Sequence, residues 1–170
     1  MADTDFAKQK EAILGRFSKE TQFTLDWYPE YVEDFPKALE KITHPIQWES
    51  CKFVAAAKHT IPKKFGVYCF SVDLGEPFPK KLHSPLYVGK ASEQYLSERF
   101  DDYLKEQNNV KGREKIVFML NKWQNRLTFW WAVIPKVYVD VVEQHLIMSC
   151  RPPCNTRVYS KEKFWGKAFD

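Results

Sequence analysis

Five side chains suited to phosphate chemistry follow one another along the later part of the chain. They are Tyr68, Tyr87, Arg99, Glu143 and Asn155. A phenol can orient or deprotonate a water molecule, and a planar guanidinium holds a phosphate better than an ammonium does. One carboxylate can hold Mg²⁺, because this ion keeps several of its own waters and needs few protein ligands. Phosphodiester hydrolysis requires attack by water, neutralisation of phosphoryl charge and help for the leaving alkoxide. The set therefore indicates this chemistry.

Each of these residues also has an ordinary structural explanation. Tyrosine is a favoured strand residue, and Asn155 follows two prolines, as turn residues often do. Arg99 could form a weak surface ion pair, and Glu143 could be a solvated helix carboxylate. Two histidines, His83 and His145, are further candidates for an acid or a base. The prediction of a catalytic site therefore depends on the order of the five residues and on the elements that carry them.

The pattern of apolar residues predicts strands and helices from residue 64 onward. Alternating Val, Tyr and Phe predict strands, and apolar residues at helical spacing predict helices. A proline-rich loop over 74–85 joins the first two strands. Ser92 is the predicted N-cap of the helix that carries Arg99. The predicted elements are strands over 64–73, 86–89 and 126–134 and helices over 92–106, 114–124 and 137–150.

The N-terminal part of the chain is predicted to form a mainly helical extension. A broken helical period runs from Phe6 to Phe17, and a short amphipathic helix is predicted over 35–42. Residues 48–58 fit a strand or a helix, and the pattern does not decide between them. We therefore divide the chain into an N-terminal extension, 1–60, and a domain over 61–170 that ends in a basic tail.

Composition indicates a packed globular protein with a mildly basic charge. The 170 residues are 44% hydrophobic and 16% aromatic, and the formal net charge is +4. This charge permits binding to nucleic acid without requiring it. The N-terminus has no apolar segment of a signal peptide, and the most continuous apolar run, 129–134, is too short to span a bilayer. The cysteine spacing does not suit a zinc site. We therefore expect a cytoplasmic protein with reduced thiols and no membrane partner.

The ordered residues resemble the motifs of the GIY-YIG endonuclease family. The similarity runs through Gly66-Val67-Tyr68, Tyr87-Val88-Gly89-Lys90-Ala91, Arg99-Phe100, Glu143-Gln144-His145-Leu146-Ile147 and Pro153-Cys154-Asn155. It covers about residues 64–157, close to the whole of such a domain. The resemblance implies an α+β fold with a small three-stranded antiparallel sheet flanked by helices. It also implies hydrolysis of DNA phosphodiester bonds with one divalent ion, Mg²⁺ or Mn²⁺, in each active site.

The resemblance implies a role for each matched residue. Tyr68 would line the site and help to orient the nucleophile or the phosphate, and Tyr87 would act as general base or position the water. Arg99 would contact the scissile phosphate. Glu143 would be the sole protein ligand of the metal, and Asn155 would brace the site near the phosphate.

Two more residues are candidates for the same site. Tyr103, one helical turn beyond Arg99, occupies a position where the family often has a His, Lys or Tyr, and Lys90 could neutralise phosphate charge. The proline-rich segment between the two motif tyrosines is longer than is usual in the family. The mechanism therefore requires that the predicted hairpin still brings these tyrosines together.

Affinity for DNA is expected from basic residues outside the motif, several of which stand near aromatic residues. A solvated basic face explains them equally well. The candidates are Lys80, Lys81, Lys111, Arg113, Lys115, Lys122, Arg126 and Arg157. We expect double-stranded DNA as the partner, and a homodimer would account for cutting of both strands. The alternatives are a nuclease directed at RNA and a non-catalytic module that binds nucleic acid or protein on the same fold.

Overall fold

The computed structural model describes residues 2–20, 46–75, 83–109 and 111–156. In these ranges the chain is an α+β protein, as predicted. The elements are α1 (Ala2–Glu20), β1 (Trp48–Lys52), a 3-10 helix (Ala55–Thr60), β2 (Gly66–Asp73), β3 (His83–Ala91), α2 (Leu96–Glu106), α3 (Glu114–Lys122), β4 (Leu127–Val133) and α4 (Lys136–Cys150). The helix predicted over 35–42, the basic tail and the candidates Lys80, Lys81 and Arg157 lie outside the described residues.

The strands form one antiparallel sheet in the order β1-β4-β2-β3. In the described residues this sheet has four strands and not the three that were predicted. The additional strand is β1, which pairs with the outer edge of β4 from Trp48 opposite Ala132 to Lys52 opposite Thr128. The strand comes from the stretch that the sequence left undecided, and it is short and largely exposed. The sheet therefore includes residues from the segment assigned to the N-terminal extension.

The sheet is a central layer with a different core on each face. On one face an aromatic core contains Tyr68, Phe70, Phe100 and Phe129, which the 3-10 helix, α2 and α3 help to enclose. On the other face Val67 and its neighbours pack against apolar residues of α4. Because successive strand residues point to opposite faces, β2 contributes to both cores in alternation. Both faces of the sheet are therefore covered by helices.

The helix that carries Arg99 begins later than predicted. Ser92 is not its N-cap, because α2 begins at Leu96 and Tyr95 is the cap residue. The backbone N–H of Tyr95 donates a hydrogen bond of 2.7 Å to the carboxylate of Glu98, which satisfies a donor at the helix end. Arg99 consequently lies in the first turn of α2.

Of the helices in the described ranges, none combines the length and the apolar character needed to cross a membrane.

Candidate active site

The β2–β3 hairpin brings the two motif tyrosines together. Tyr68 pairs with Gly89, and Phe70 pairs with Tyr87, so both tyrosines lie on the same face of the sheet. Their ring centroids are 6.4 Å apart. A register shift between Phe70 and Ser71 adjusts the pairing toward the loop end of the hairpin. The long segment between the strands therefore does not separate the two phenols.

The glycines of both motifs permit close approach in the sheet. A Cβ at Gly89 would lie 2.5 Å from the Cζ and the hydroxyl oxygen of Tyr68, so the tyrosine ring covers this glycine. A Cβ at Gly66 would overlap the carbonyl oxygen of Ala132 on β4. Glycine in a strand often marks such a contact. The glycines thus permit the close packing of the two motif strands.

The two motif tyrosines have different surroundings. Tyr68 is 2% exposed, and its hydroxyl forms a 2.9 Å hydrogen bond with the hydroxyl of Tyr103, which is 1% exposed. Burial raises the pKa of both phenols above the ordinary value. Tyr87 is half-buried, and its hydroxyl oxygen accepts a hydrogen bond of 3.3 Å from Arg113. Of the two motif tyrosines, Tyr87 is therefore the one suited to proton chemistry.

The motif residues line a single cleft of about 780 Å³. Its lining includes Tyr68, Tyr87, Arg99, Glu143 and Asn155, together with Lys90, Arg113 and Lys115. Tyr103 is not part of the lining and supports Tyr68 from behind. Four cationic side chains and two carboxylates border the cleft, and one of these carboxylates, Glu114, is paired with Arg16 of α1. Glu106 and Asp140, which lie outside this lining, pair with Arg113 and Lys90. The attraction of the cleft for an anionic ligand therefore depends chiefly on Arg99 and Lys115.

Glu143 is buried, and its explanation as a solvated helix carboxylate is wrong. It is 9% exposed and lies 3.5 Å from the ammonium of Lys90, measured from Oε2 to Nζ. The same ammonium donates a 2.8 Å hydrogen bond to Asp140, which precedes Glu143 by about one turn of α4. Partial burial lowers the pKa of Lys90, but the hydrogen bond to Asp140 and the charge of Glu143 outweigh it and raise this pKa. The carboxylates of Asp140 and Glu143 on α4 thus both contact the ammonium of Lys90 on β3.

Arg99 lines the cleft from the first turn of α2. Its Nε is buried and has no hydrogen-bond partner among the residues that the structure describes. A buried donor without a partner costs free energy, and an anionic ligand would satisfy it. This side chain is therefore the best placed in the cleft to hold a phosphate.

Asn155 braces the edge strand of the sheet. Its side-chain oxygen accepts a hydrogen bond of 2.9 Å from the Val88 backbone N–H, and its amide nitrogen donates one of 2.8 Å to the Val88 carbonyl. The backbone N–H of Cys154 donates to the carbonyl of Leu86 at 2.9 Å. The segment after α4 therefore pairs with the free edge of β3 on both sides of Tyr87.

The remaining basic candidates divide into two groups. Arg113 and Lys115 line the cleft. Lys111, Lys122 and Arg126 do not belong to its lining. The ammonium of Lys122 lies over the rings of its own helix end, and Arg126 donates a 3.1 Å hydrogen bond to the carbonyl of Leu74. The structure thus gives Lys122 and Arg126 contacts within the protein.

Neither histidine candidate lines the cleft. His83 lies 3.3 Å from the hydroxyl of Ser71, measured from Nδ1, and packs edge-on against Trp130. His145 is 4% exposed on α4. Neither imidazole is therefore placed to act on a ligand in the cleft.

The donor set fits a hard divalent ion that has few protein ligands. Carboxylate oxygens, water and phosphate oxygens are the ligands that Mg²⁺ prefers, and Glu143 faces the cleft beside Lys90. In the part of the chain that the structure describes, no group of three or more His, Cys, Asp or Glu side chains is arranged for a metal. An ion here would therefore depend on Glu143, on water and on substrate oxygens.

Sequence reasoning missed three carboxylates around the cleft. Asp140 precedes Glu143 by three residues, so helical spacing alone places both on one face. Glu114 follows the candidate Arg113 directly and lines the cleft. Glu106 binds Arg113 across the break between α2 and α3, and no local pattern indicates this contact.

Comparison with protein-family models, with curated proteins and with solved structures gives no match for this chain.

Proposed function

We propose that the protein is a metal-dependent endonuclease that hydrolyses DNA phosphodiester bonds, with double-stranded DNA as the substrate and the cytoplasm as its location. One observation carries the proposal: Tyr87, Arg99 and Glu143, from three different elements, line the same cleft. The order of these residues in the chain, which resembles the GIY-YIG motifs, gives the cleft a defined reaction. Neither the cleft nor the order alone would support this assignment.

The side chains of the cleft divide the work of hydrolysis. Arg99 holds the scissile phosphate and neutralises negative charge on the phosphoryl oxygens, with Lys90 as a second cation. To act as the base, the phenol of Tyr87 first loses its own proton to solvent. Its oxygen then accepts a hydrogen bond from the attacking water and takes up a proton of that water as the oxygen–phosphorus bond forms. The opposite phosphorus–oxygen bond breaks, and the departing sugar oxygen takes a proton from solvent.

Two residues keep this arrangement in place. Tyr68, neutral and hydrogen-bonded to Tyr103, forms the wall behind Tyr87. Asn155 fixes the backbone next to Tyr87 through Val88.

Glu143 would hold one Mg²⁺ or Mn²⁺, an ion that supplies charge stabilisation for the phosphoryl group and the leaving oxygen.

Nicking of supercoiled plasmid tests the proposal. Purified protein with Mg²⁺ or Mn²⁺ should convert the plasmid to open-circle or linear form, and chelation with EDTA should stop it. Tyr87→Phe and Glu143→Gln should each slow cleavage by about 10²- to 10⁴-fold, the range for loss of a group that acts in the transition state. Tyr138→Phe and Glu49→Gln make the same chemical changes outside the cleft and should cleave like the wild type.

Two outcomes would refute the proposal. Equal nicking by the wild type and both cleft variants would indicate a contaminating nuclease. Absence of nicking at any protein excess, with binding to DNA retained, would favour the non-catalytic module. The same assay with labelled RNA separates a nuclease directed at RNA from one directed at DNA.

A further inference from the structure

Arg113 contacts the hydroxyl and the ring of the second motif tyrosine. It precedes α3 and lines the cleft. Its Nη1 donates a hydrogen bond of 3.3 Å to the hydroxyl oxygen of Tyr87. Its guanidinium carbon lies 5.8 Å from the ring centroid of Tyr87 and 5.3 Å from that of Tyr103, within the range of a cation–π contact. One guanidinium thus touches two phenols of the site.

Glu106 holds this guanidinium in a fixed orientation. The Nε and Nη2 of Arg113 donate to the two carboxylate oxygens at 3.1 and 2.8 Å, and its backbone N–H donates to one of them at 2.9 Å. The Glu106 side chain is 13% exposed, so the pair is partly shielded from solvent. A bidentate pair of this kind fixes direction as well as distance.

Gly112 makes room for the same carboxylate. A Cβ at this position would lie 2.8 Å from the Cγ of Glu106 and 3.0 Å from a methyl carbon of Val117. The turn before α3 therefore lets Glu106 approach closely, directly beside the residue that this carboxylate binds. The backbone of this turn and the contacts of Glu106 thus favour the same position of the Arg113 guanidinium.

These contacts leave Arg113 poorly suited to binding a DNA phosphate, the role that its positive charge suggests. The guanidinium directs Nε and Nη2 to Glu106 and Nη1 to Tyr87, and the adjacent carboxylate neutralises the positive charge. A phosphate-binding arginine needs its planar fork free. The hydroxyl oxygen of Tyr87, in contrast, gains a donor with a fixed direction.

We propose that Arg113, held by Glu106, is a positioning residue that fixes the ring and hydroxyl of Tyr87 in the cleft, and that it is not a DNA-phosphate contact. This inference rests on the function proposed for Tyr87. It replaces the sequence-based expectation that Arg113 belongs to the DNA-binding surface.

Steady-state cleavage of plasmid at several salt concentrations separates the two roles. Arg113→Met should lower kcat by about 10- to 100-fold, because a small displacement of a catalytic group has effects of this size, with KM nearly unchanged. Arg113→Lys should recover part of the loss, and Glu106→Gln should lie between the wild type and Arg113→Met. A phosphate contact would instead raise KM with kcat retained and reduce the salt dependence of binding by about one unit of slope. That second result would overturn the inference.

A spectroscopic readout tests the inference without catalysis. In protein with ¹³C-labelled tyrosine rings, Tyr87→Phe identifies the Tyr87 signals. Arg113→Met and Glu106→Gln should shift or broaden those signals. Lys105→Met removes a neighbouring exposed cation and should leave them in place. Unchanged Tyr87 signals in both variants, in a protein that cleaves DNA, would refute the inference alone. A wild type that does not cleave, with signals that respond as expected, would refute the proposed function alone.

Discussion

Replacing Gly89 with alanine tests how closely β2 and β3 pack at the two motif tyrosines. A Cβ at this position would lie 2.5 Å from the Cζ and the hydroxyl oxygen of Tyr68 and 2.7 Å from its Cε2. The Tyr68 ring cannot withdraw easily, because it stacks on Phe129 at 5.4 Å and its hydroxyl is bonded to Tyr103. The variant must therefore either displace this ring or separate β3 from β2.

The expected loss of stability follows from these contacts. Extra volume in a packed core costs about 1–3 kcal/mol, and loss of the hydrogen bond between Tyr68 and Tyr103 would add about 1 kcal/mol. We expect Gly89→Ala to lower the free energy of unfolding by about 2–4 kcal/mol. For a chain of this size the corresponding decrease in Tm is about 4–16 °C.

Urea unfolding of a double-mutant cycle measures the effect. Tyr68→Leu removes the three atoms that a Cβ at Gly89 would meet, so Gly89→Ala should cost less than about 1 kcal/mol in that background. Gly15→Ala is the control, because a Cβ at Gly15 meets no atom within 4 Å and alanine favours a helix. Additive effects of the two substitutions, or an unchanged midpoint for Gly89→Ala alone, would show that the ring does not cover this glycine.

Three further results are expected. Asn155→Ala should lower the free energy of unfolding by about 1–3 kcal/mol in urea, because two hydrogen bonds to Val88 are lost, and an unchanged midpoint would contradict this. Because the pKa values of buried Tyr68 and Tyr103 are raised, the unfolded chain loses these protons first. The contribution of these two phenols to stability should therefore be complete below about pH 10 and decrease above it by up to about 1.4 kcal/mol per pH unit for each group. Tm measured between about pH 9 and 11.5 should decrease less steeply for Tyr103→Phe than for the wild type. Equal slopes for the two proteins would contradict this prediction. Mg²⁺ at ten times its dissociation constant should stabilise the wild type by about 1.4 kcal/mol in thermal unfolding, and Glu143→Gln should abolish the gain; an equal gain in both would place the ion elsewhere.

The sequence predicts those elements in which a pattern of apolar residues repeats over several positions. β2 is rich in Val, Tyr and Phe, which favour strands, and its alternate residues enter the two cores. The apolar spacing in α4 follows from a buried helix face, and in both elements this information is local. β1 is different: it has five residues, mostly exposed, and its strand conformation depends on the free edge of β4. Pairing across such a distance in the chain leaves no periodic pattern. β1, the strand that the sequence did not predict, was therefore not predictable from its own residues.

The candidate site shows the same division. The order of motif residues indicated which side chains to compare, and the structure brings them to one cleft. Their environments could not be read from order alone. The burial of Tyr68, the carboxylates around Lys90 and the bidentate contact of Glu106 with Arg113 all depend on elements that meet only in the folded chain. Local patterns in the sequence thus identified the candidate side chains, while tertiary packing determined their burial and their contacts.

The position of β3 explains why the cleft forms where it does. Tyr87 and Lys90 point to opposite faces of this strand, because they are three residues apart. α4 covers one face and carries Glu143, whereas α2 lies on the other side with Arg99. Side chains from the two faces can meet only around an edge of the sheet, and β3 is an edge strand. A free edge would also expose unpaired backbone groups. Next to Tyr87 the Cys154 N–H donates to the Leu86 carbonyl, and the side-chain oxygen of Asn155 accepts from the Val88 N–H. The segment that closes the sheet edge is therefore the same segment that completes the cleft.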